Sequence, residues 1–231
     1  HFVIFYFPQT FYEAFAKEDG GFLSLFYYTP LSVLVNGNIA VQYFFVLTGF
    51  LVGRSIFTKK NSAAIVAKKC VNRYFRLLPV IIGATVLSLI LILLNLHHHH
   101  EIAEALPYTD LVKEYWNFKP GISQVLRNIF IMPFYWGSQY VGPFWTIPYE
   151  FFGYIIAMVL CYFVKNSKWR RLIYIACAGV IHFVLDNNYI VVLLGVLVAD
   201  LYYNCDKDAT VLSKWYADII KKKWFVVLSF F

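Results

Sequence analysis

Long apolar runs, separated by short polar clusters, dominate the chain. Complete runs cover about Asn38–Ile56, Leu77–Leu96, Phe144–Val164, Leu172–Leu185 and Tyr189–Tyr203, with partial runs at His1–Phe7 and Trp224–Phe231. A helix rises about 1.5 Å per residue, so about 20 apolar residues span a hydrocarbon core of roughly 30 Å. Leu172–Leu185 and Tyr189–Tyr203 are short for that task. Together they read as a hairpin turning at Asp186-Asn187-Asn188, because Asn and Asp tolerate the backbone angles of tight turns. The pattern predicts an all-α polytopic transmembrane helical bundle with five full spans and two partial ones, as one domain over residues 1–231. The opening "HFVIFYF" and closing "WFVVLSFF" predict a piece truncated at both ends, with no signal peptide.

Composition agrees with the pattern. Of 231 residues, 60% are hydrophobic and 20% aromatic, and only 14% are charged. A soluble domain carries about a quarter charged residues, so this chain cannot cover its own surface in water. The formal charge of +7 does not imply nucleic acid, because the basic residues cluster in short segments beside apolar runs. Membrane insertion and anionic lipid headgroups favour that placement. Membrane lipid is therefore an expected partner and nucleic acid is not.

Charge also orients the spans. Arg54, Lys59, Lys60, Lys68, Lys69, Arg73 and Arg76 lie in a segment 54–76 that holds no acid. Segments 165–171 and 204–223 are the next basic ones, while the segments between are acidic or balanced. The positive-inside rule places the three basic loops in the cytoplasm of a multi-pass cell-membrane protein. The external loop, about Leu96 to Pro143, carries Trp116 and Trp136, with Trp145 just beyond. These suit a membrane-interface belt, and Ile122–Ile131 reads as a short interfacial helix.

Several residues could carry chemistry. "RYFR" sets Arg73 and Arg76 three apart, on one helical face, with Pro79 at an early position of the span that follows. Either the pair is a topogenic and lipid-phosphate anchor, or its guanidinium forks hold a specific phosphate ligand. Lysine would satisfy the first role equally, and the segment uses lysine freely. Glu150 lies a few residues into a span from its outer end, where a carboxylate is costly and faces a partner or a cavity. Pro148 would loosen that helix locally. Gly37, Gly49 and Gly53 favour close helix packing over ligand contact. His1 sits in an aromatic run without a countercharge, as a bonded core histidine or a proton-transfer group; His182 is a weaker candidate. His97–His100 form a tandem run without other ligands, and the spacing of the four cysteines argues against disulfides and a metal site.

Four motifs in order resemble the acyltransferase-3 family of membrane acyltransferases, which modify surface polysaccharides and related acceptors. They are the early His1, "FFVLTGFL" from Phe44 to Leu51 with threonine in the family's serine position, the Arg73/Arg76 pair followed by "LLP", and Trp145, Thr146, Glu150 and Tyr154 in a "W-[ST]-x-x-x-E-x-x-x-Y" pattern. The resemblance implies transfer of an acyl group, acetyl above all, from cytoplasmic acyl-CoA to a hydroxyl of a cell-surface carbohydrate or lipid-linked glycan, with no bound cofactor. It implies that Arg73 and Arg76 bind the acyl-CoA phosphates, that His1 is the catalytic base or acyl carrier, and that Glu150 supports that site from the outer half. A near-neutral imidazole suits such proton transfer. A multi-pass transporter or flippase would use the same arginines and Glu150 as a path for an anionic or glycan substrate. No internal repeat favours it. A non-catalytic membrane scaffold is the third reading.

Overall fold

The computed structural model describes residues 37–96, 118 and 120–204. All regular structure among them is helical: α1 (Gly37–Phe57), α2 (Ala63–Leu93), α3 (Ile122–Phe130), α4 (Met132–Tyr135), a 3-10 turn (Gly142–Thr146), α5 (Ile147–Val164), α6 (Arg170–Val184) and α7 (Asn188–Asn204). Among the described residues, three segments are long and apolar enough to cross a membrane: Ile39–Phe57, Ala63–Leu93 and Gly142–Val164. The helices α6 and α7, with 15 and 17 residues, match expected spans but fall short of about 20. Outward side chains are apolar to a degree that water would not tolerate: Phe183 is 87% exposed and Phe163 76%. The molecule is a membrane protein. The partial runs at both ends, the basic segment from 205 to 223 and residues 97–117 and 119 of the segment expected to be an external loop lie outside the described residues.

One expected boundary was wrong. The basic segment 54–76 is not a loop: α1 runs to Phe57, a turn follows, and α2 starts at Ala63 instead of Leu77. The Ser62 hydroxyl accepts the Ile65 N–H at 3.4 Å, as an N-cap would. Asn61 organises the turn, donating to the Ser55 and Lys59 carbonyls at 2.8 Å each and accepting from Lys69 Nζ at 2.6 Å. Nothing between Ala63 and Leu77 breaks a helix. Hydropathy marks where lipid begins, and the helix begins earlier. Pro79 is consequently inside α2 and not near its start, so the Phe75 carbonyl lacks the usual donor four residues on. Pro148, conversely, sits in the first turn of α5, where its missing N–H disturbs nothing.

Asn95 ends α2. Its φ is 57°, in the left-handed region. Leu96 N–H bonds the Leu91 carbonyl and Asn95 N–H the Ile92 carbonyl, both at 3.0 Å. That pair of bonds is a Schellman stop.

The described residues fall into two compact units, one from 37–40 and 78–145, the other from 41–77 and 146–204. In the second unit α7 packs on α5 and α6, around Phe45, Val52, Met158, Val192 and Val196. The small residues of α1 meet α7. A Cβ on Gly49 would strike the Val192 carbonyl, and one on Gly195 would strike the Val46 carbonyl. Lipid supplies no hydrophobic drive between helices, so contact this close replaces it with van der Waals packing. The α6–α7 turn is the expected hairpin, held by Asp186. Its Oδ1 accepts the Asn188 N–H at 3.0 Å, its Oδ2 accepts the Tyr149 hydroxyl at 2.9 Å, and its carbonyl accepts the Tyr189 N–H.

In the first unit a polar network lies among the buried Ile81, Ile129, Phe134 and Phe144. Ser88 donates to the Tyr140 carbonyl at 2.8 Å, Asn128 reaches Thr85 Oγ1 at 3.4 Å, and Ser138 donates to Asn128 Oδ1 at 3.0 Å. Burial raises the Tyr140 phenol above its ordinary pKa, keeping it neutral.

Candidate functional site

Two motif segments distant in sequence converge in the second unit. Arg73 is the eleventh residue of α2, and Glu150 lies in the first turn of α5. Arg73 Nη2 donates to Glu150 Oε1 in an ion pair whose side chains are only 13% and 14% exposed. Tyr154, one turn beyond Glu150 on the same face, lies against the guanidinium, with Arg73 Cζ 5.0 Å from the ring centroid. The arginine is thus held from two sides, by a carboxylate and by an aromatic face.

One donor remains. Arg73 Nε is buried and makes no hydrogen bond among the described residues. Arg76 is exposed, makes no ion pair among the described residues, and is near enough for its charge to act on Glu150 and Tyr154. Two guanidiniums against one carboxylate leave the cluster with net charge +1. Surplus positive charge beside an open buried donor is an arrangement that can hold an anion.

Of the four expected site residues, the structure brings together Arg73, Glu150 and, at longer range, Arg76. Glu150 does not stand apart from the arginines: it is the counter-ion of Arg73. The depth expected for Glu150 from hydropathy alone missed this contact. His1 and His97–His100 lie outside the described residues. His182 is exposed, and its Nδ1 is 2.7 Å from Asn187 Oδ1, so it belongs to the α6–α7 turn.

Tyr154 had a sequence signal as a site residue, four positions from Glu150, yet it was read only as part of a motif. Asp200 was not among the expected site residues. It is fully buried and accepts from Arg170 Nε at 2.7 Å, Arg171 Nε at 2.9 Å and Asn204 Nδ2 at 2.7 Å. It ties the basic start of α6 to the end of α7, a structural role.

The comparisons with known proteins agree with the motifs. A family model described as an acyltransferase domain matches residues 1–231. No curated protein and no solved structure matches the chain.

Proposed function

The chain belongs to the acyltransferase-3 family, and from that premise we propose that it transfers an acyl group, most simply acetyl, from cytoplasmic acyl-CoA to a hydroxyl of a cell-surface carbohydrate or lipid-linked glycan. The observation that carries this reading is the Arg73–Glu150–Tyr154 cluster, in which a pinned guanidinium keeps one buried donor open. Glu150 and Tyr154 fix Arg73 before any ligand arrives, which lowers the ordering cost of binding. The phosphates of the acyl-CoA meet Arg73 Nε and Arg76. Glu150 cancels one of the two positive charges, so the empty site is tolerable within a span.

His1 supplies the proton chemistry in this proposal. The imidazole takes the proton of the acceptor hydroxyl, and the oxygen attacks the thioester carbonyl. The C–S bond breaks, the ester forms, and the CoA sulfur leaves as thiolate to be protonated. The test is reconstitution of the full-length protein with radiolabelled acetyl-CoA and cell-surface glycan. Label in the glycan is expected from the parent, and much less of it, at sub-saturating acetyl-CoA, from the Arg73→Lys, Arg76→Lys variant. Absence of label in any acceptor fraction overturns the proposal.

A further inference from the structure

The first unit holds a second concave site, remote in sequence from the arginine pair. A cavity of about 430 Å³ is lined by Gly121, Ser123, Gln124, Arg127, Asn128, Met132 and Gln139. Its volume falls in the range of about 300–1,000 Å³ usual for small-molecule pockets. We infer that this cavity binds a polyhydroxylated, carbohydrate-type ligand bearing an acid group. In the acyl-transfer reading, on which this assignment of role rests, that ligand is the acceptor.

The lining carries the inference. Gln124 and Gln139 each carry a carbonyl acceptor and two amide donors, Ser123 adds a hydroxyl, and Asn128 backs the lining from a buried position. Amides that both donate and accept suit vicinal hydroxyls, whereas an apolar ligand would leave them unpaired at a cost. They are also partly positioned in advance. Gln124 Nε2 donates to Gln139 Oε1 at 3.1 Å, and Asn128, only 3% exposed, is held by Ser138 and Thr85. Arg127 is the one charged side chain of the lining and makes no ion pair among the described residues, so it can take a carboxylate or phosphate. A site for lipid headgroups alone would gather several cations. Here one cation stands among four uncharged hydrogen-bonding groups.

The same helix positions the cavity. Ile122, Leu126 and Phe130 lie on one stripe of α3 and are 84%, 50% and 44% exposed, while Asn128 and Ile129 face inward. Ser123, Gln124 and Arg127 fill the remaining sector. An exposed apolar stripe beside a polar one is the pattern of a helix lying in the membrane interface. With the stripe in lipid, the polar sector and the cavity open to water at the membrane surface.

The test is calorimetric titration of the full chain, solubilised in detergent and without acyl-CoA, so failure of acyl transfer does not bear on the result. The probes are tetragalacturonate, neutral maltotetraose and added phosphatidylglycerol. The parent should bind tetragalacturonate more tightly than maltotetraose. Gln124→Ala with Gln139→Ala should weaken both roughly tenfold, as expected for one or two lost hydrogen bonds. Arg127→Gln should erase the preference for the acidic sugar and leave maltotetraose unchanged. These residues are at or near the surface, and an unchanged melting temperature confirms folding. The inference fails if neither sugar binds the parent, if the variants bind as the parent does, or if only phosphatidylglycerol responds to Arg127→Gln.

Discussion

Arg73 and Glu150, 77 positions apart in the chain, form a partly buried ion pair between α2 and α5 with Tyr154 against the guanidinium. Removing one member leaves an uncompensated charge, at about 3–5 kcal/mol for a fully buried pair and less for this partly buried one, while removing both is far milder. Glu150→Gln should therefore lower both the melting temperature and the acyl transfer of the full-length protein. Arg73→Gln combined with Glu150→Gln should recover most of the melting temperature and none of the transfer. Recovery of transfer in the double variant would show the pair to be structural only.

Asp200 offers a second measurement. It holds two arginines and an asparagine in a position with no exposure. Asp200→Asn preserves shape but leaves Arg170, whose side chain is 11% exposed, with a neutral partner. A loss of about 3–5 kcal/mol in denaturant unfolding is expected. Binding of acyl-CoA should change little in the fraction that remains folded.

The α1–α7 contact predicts a steric result. Gly49 faces the Val192 backbone carbonyl and Gly195 the Val46 carbonyl, and neither backbone can turn aside as a side chain would. Gly49→Ala should cost about 1–3 kcal/mol, the usual penalty of overpacking. Gly83, with open space around it, should accept alanine without penalty and serves as the control. Equal melting temperatures for the two variants would refute the close packing.

Much of this was legible in the sequence. The apolar runs located α1, α5, α6 and α7 to within a few residues, because lipid-facing helices are apolar all round and need no periodicity to be seen. The glycines on α1 were read as packing, and Gly49 and Gly53 do pack on α7. The start of α2 was not legible. Lys68, Lys69, Arg73 and Arg76 resemble a loop by composition, yet all are compatible with a helix. That error hid the partner of Glu150, since a loop arginine has no fixed depth. Asp200 was not legible as a hub. Its ligands Arg170 and Arg171 lie 30 and 29 positions away, and one sequence carries no signal of that contact.

His1, the expected base, is testable by function alone. His1→Ala in the full-length protein should abolish acyl transfer and leave membrane insertion and melting temperature unchanged. A general base contributes about 10²–10⁴-fold to such a step. Transfer within a few-fold of the parent would remove His1 from the mechanism.

The arginine pair decides between topology and recognition. The positive-inside rule counts charge, so Arg73→Lys with Arg76→Lys should preserve insertion and orientation. Lysine retains the charge and can still pair with Glu150, but it is a point charge without a second donor in a fixed plane. The buried Nε that Arg73 keeps open has no equivalent in lysine. If that donor and Arg76 hold the phosphates of acyl-CoA, the double variant should bind acyl-CoA roughly tenfold or more weakly, taking about 1.5–3 kcal/mol for a charge-assisted hydrogen bond. Arg76→Lys alone should cost less than Arg73→Lys, because Arg76 is exposed and is not pinned by an aromatic ring. Equilibrium binding of labelled acetyl-CoA to the three variants measures each difference. Unchanged affinity in a correctly inserted double variant would make both arginines topological, and Glu150 no more than their counter-charge.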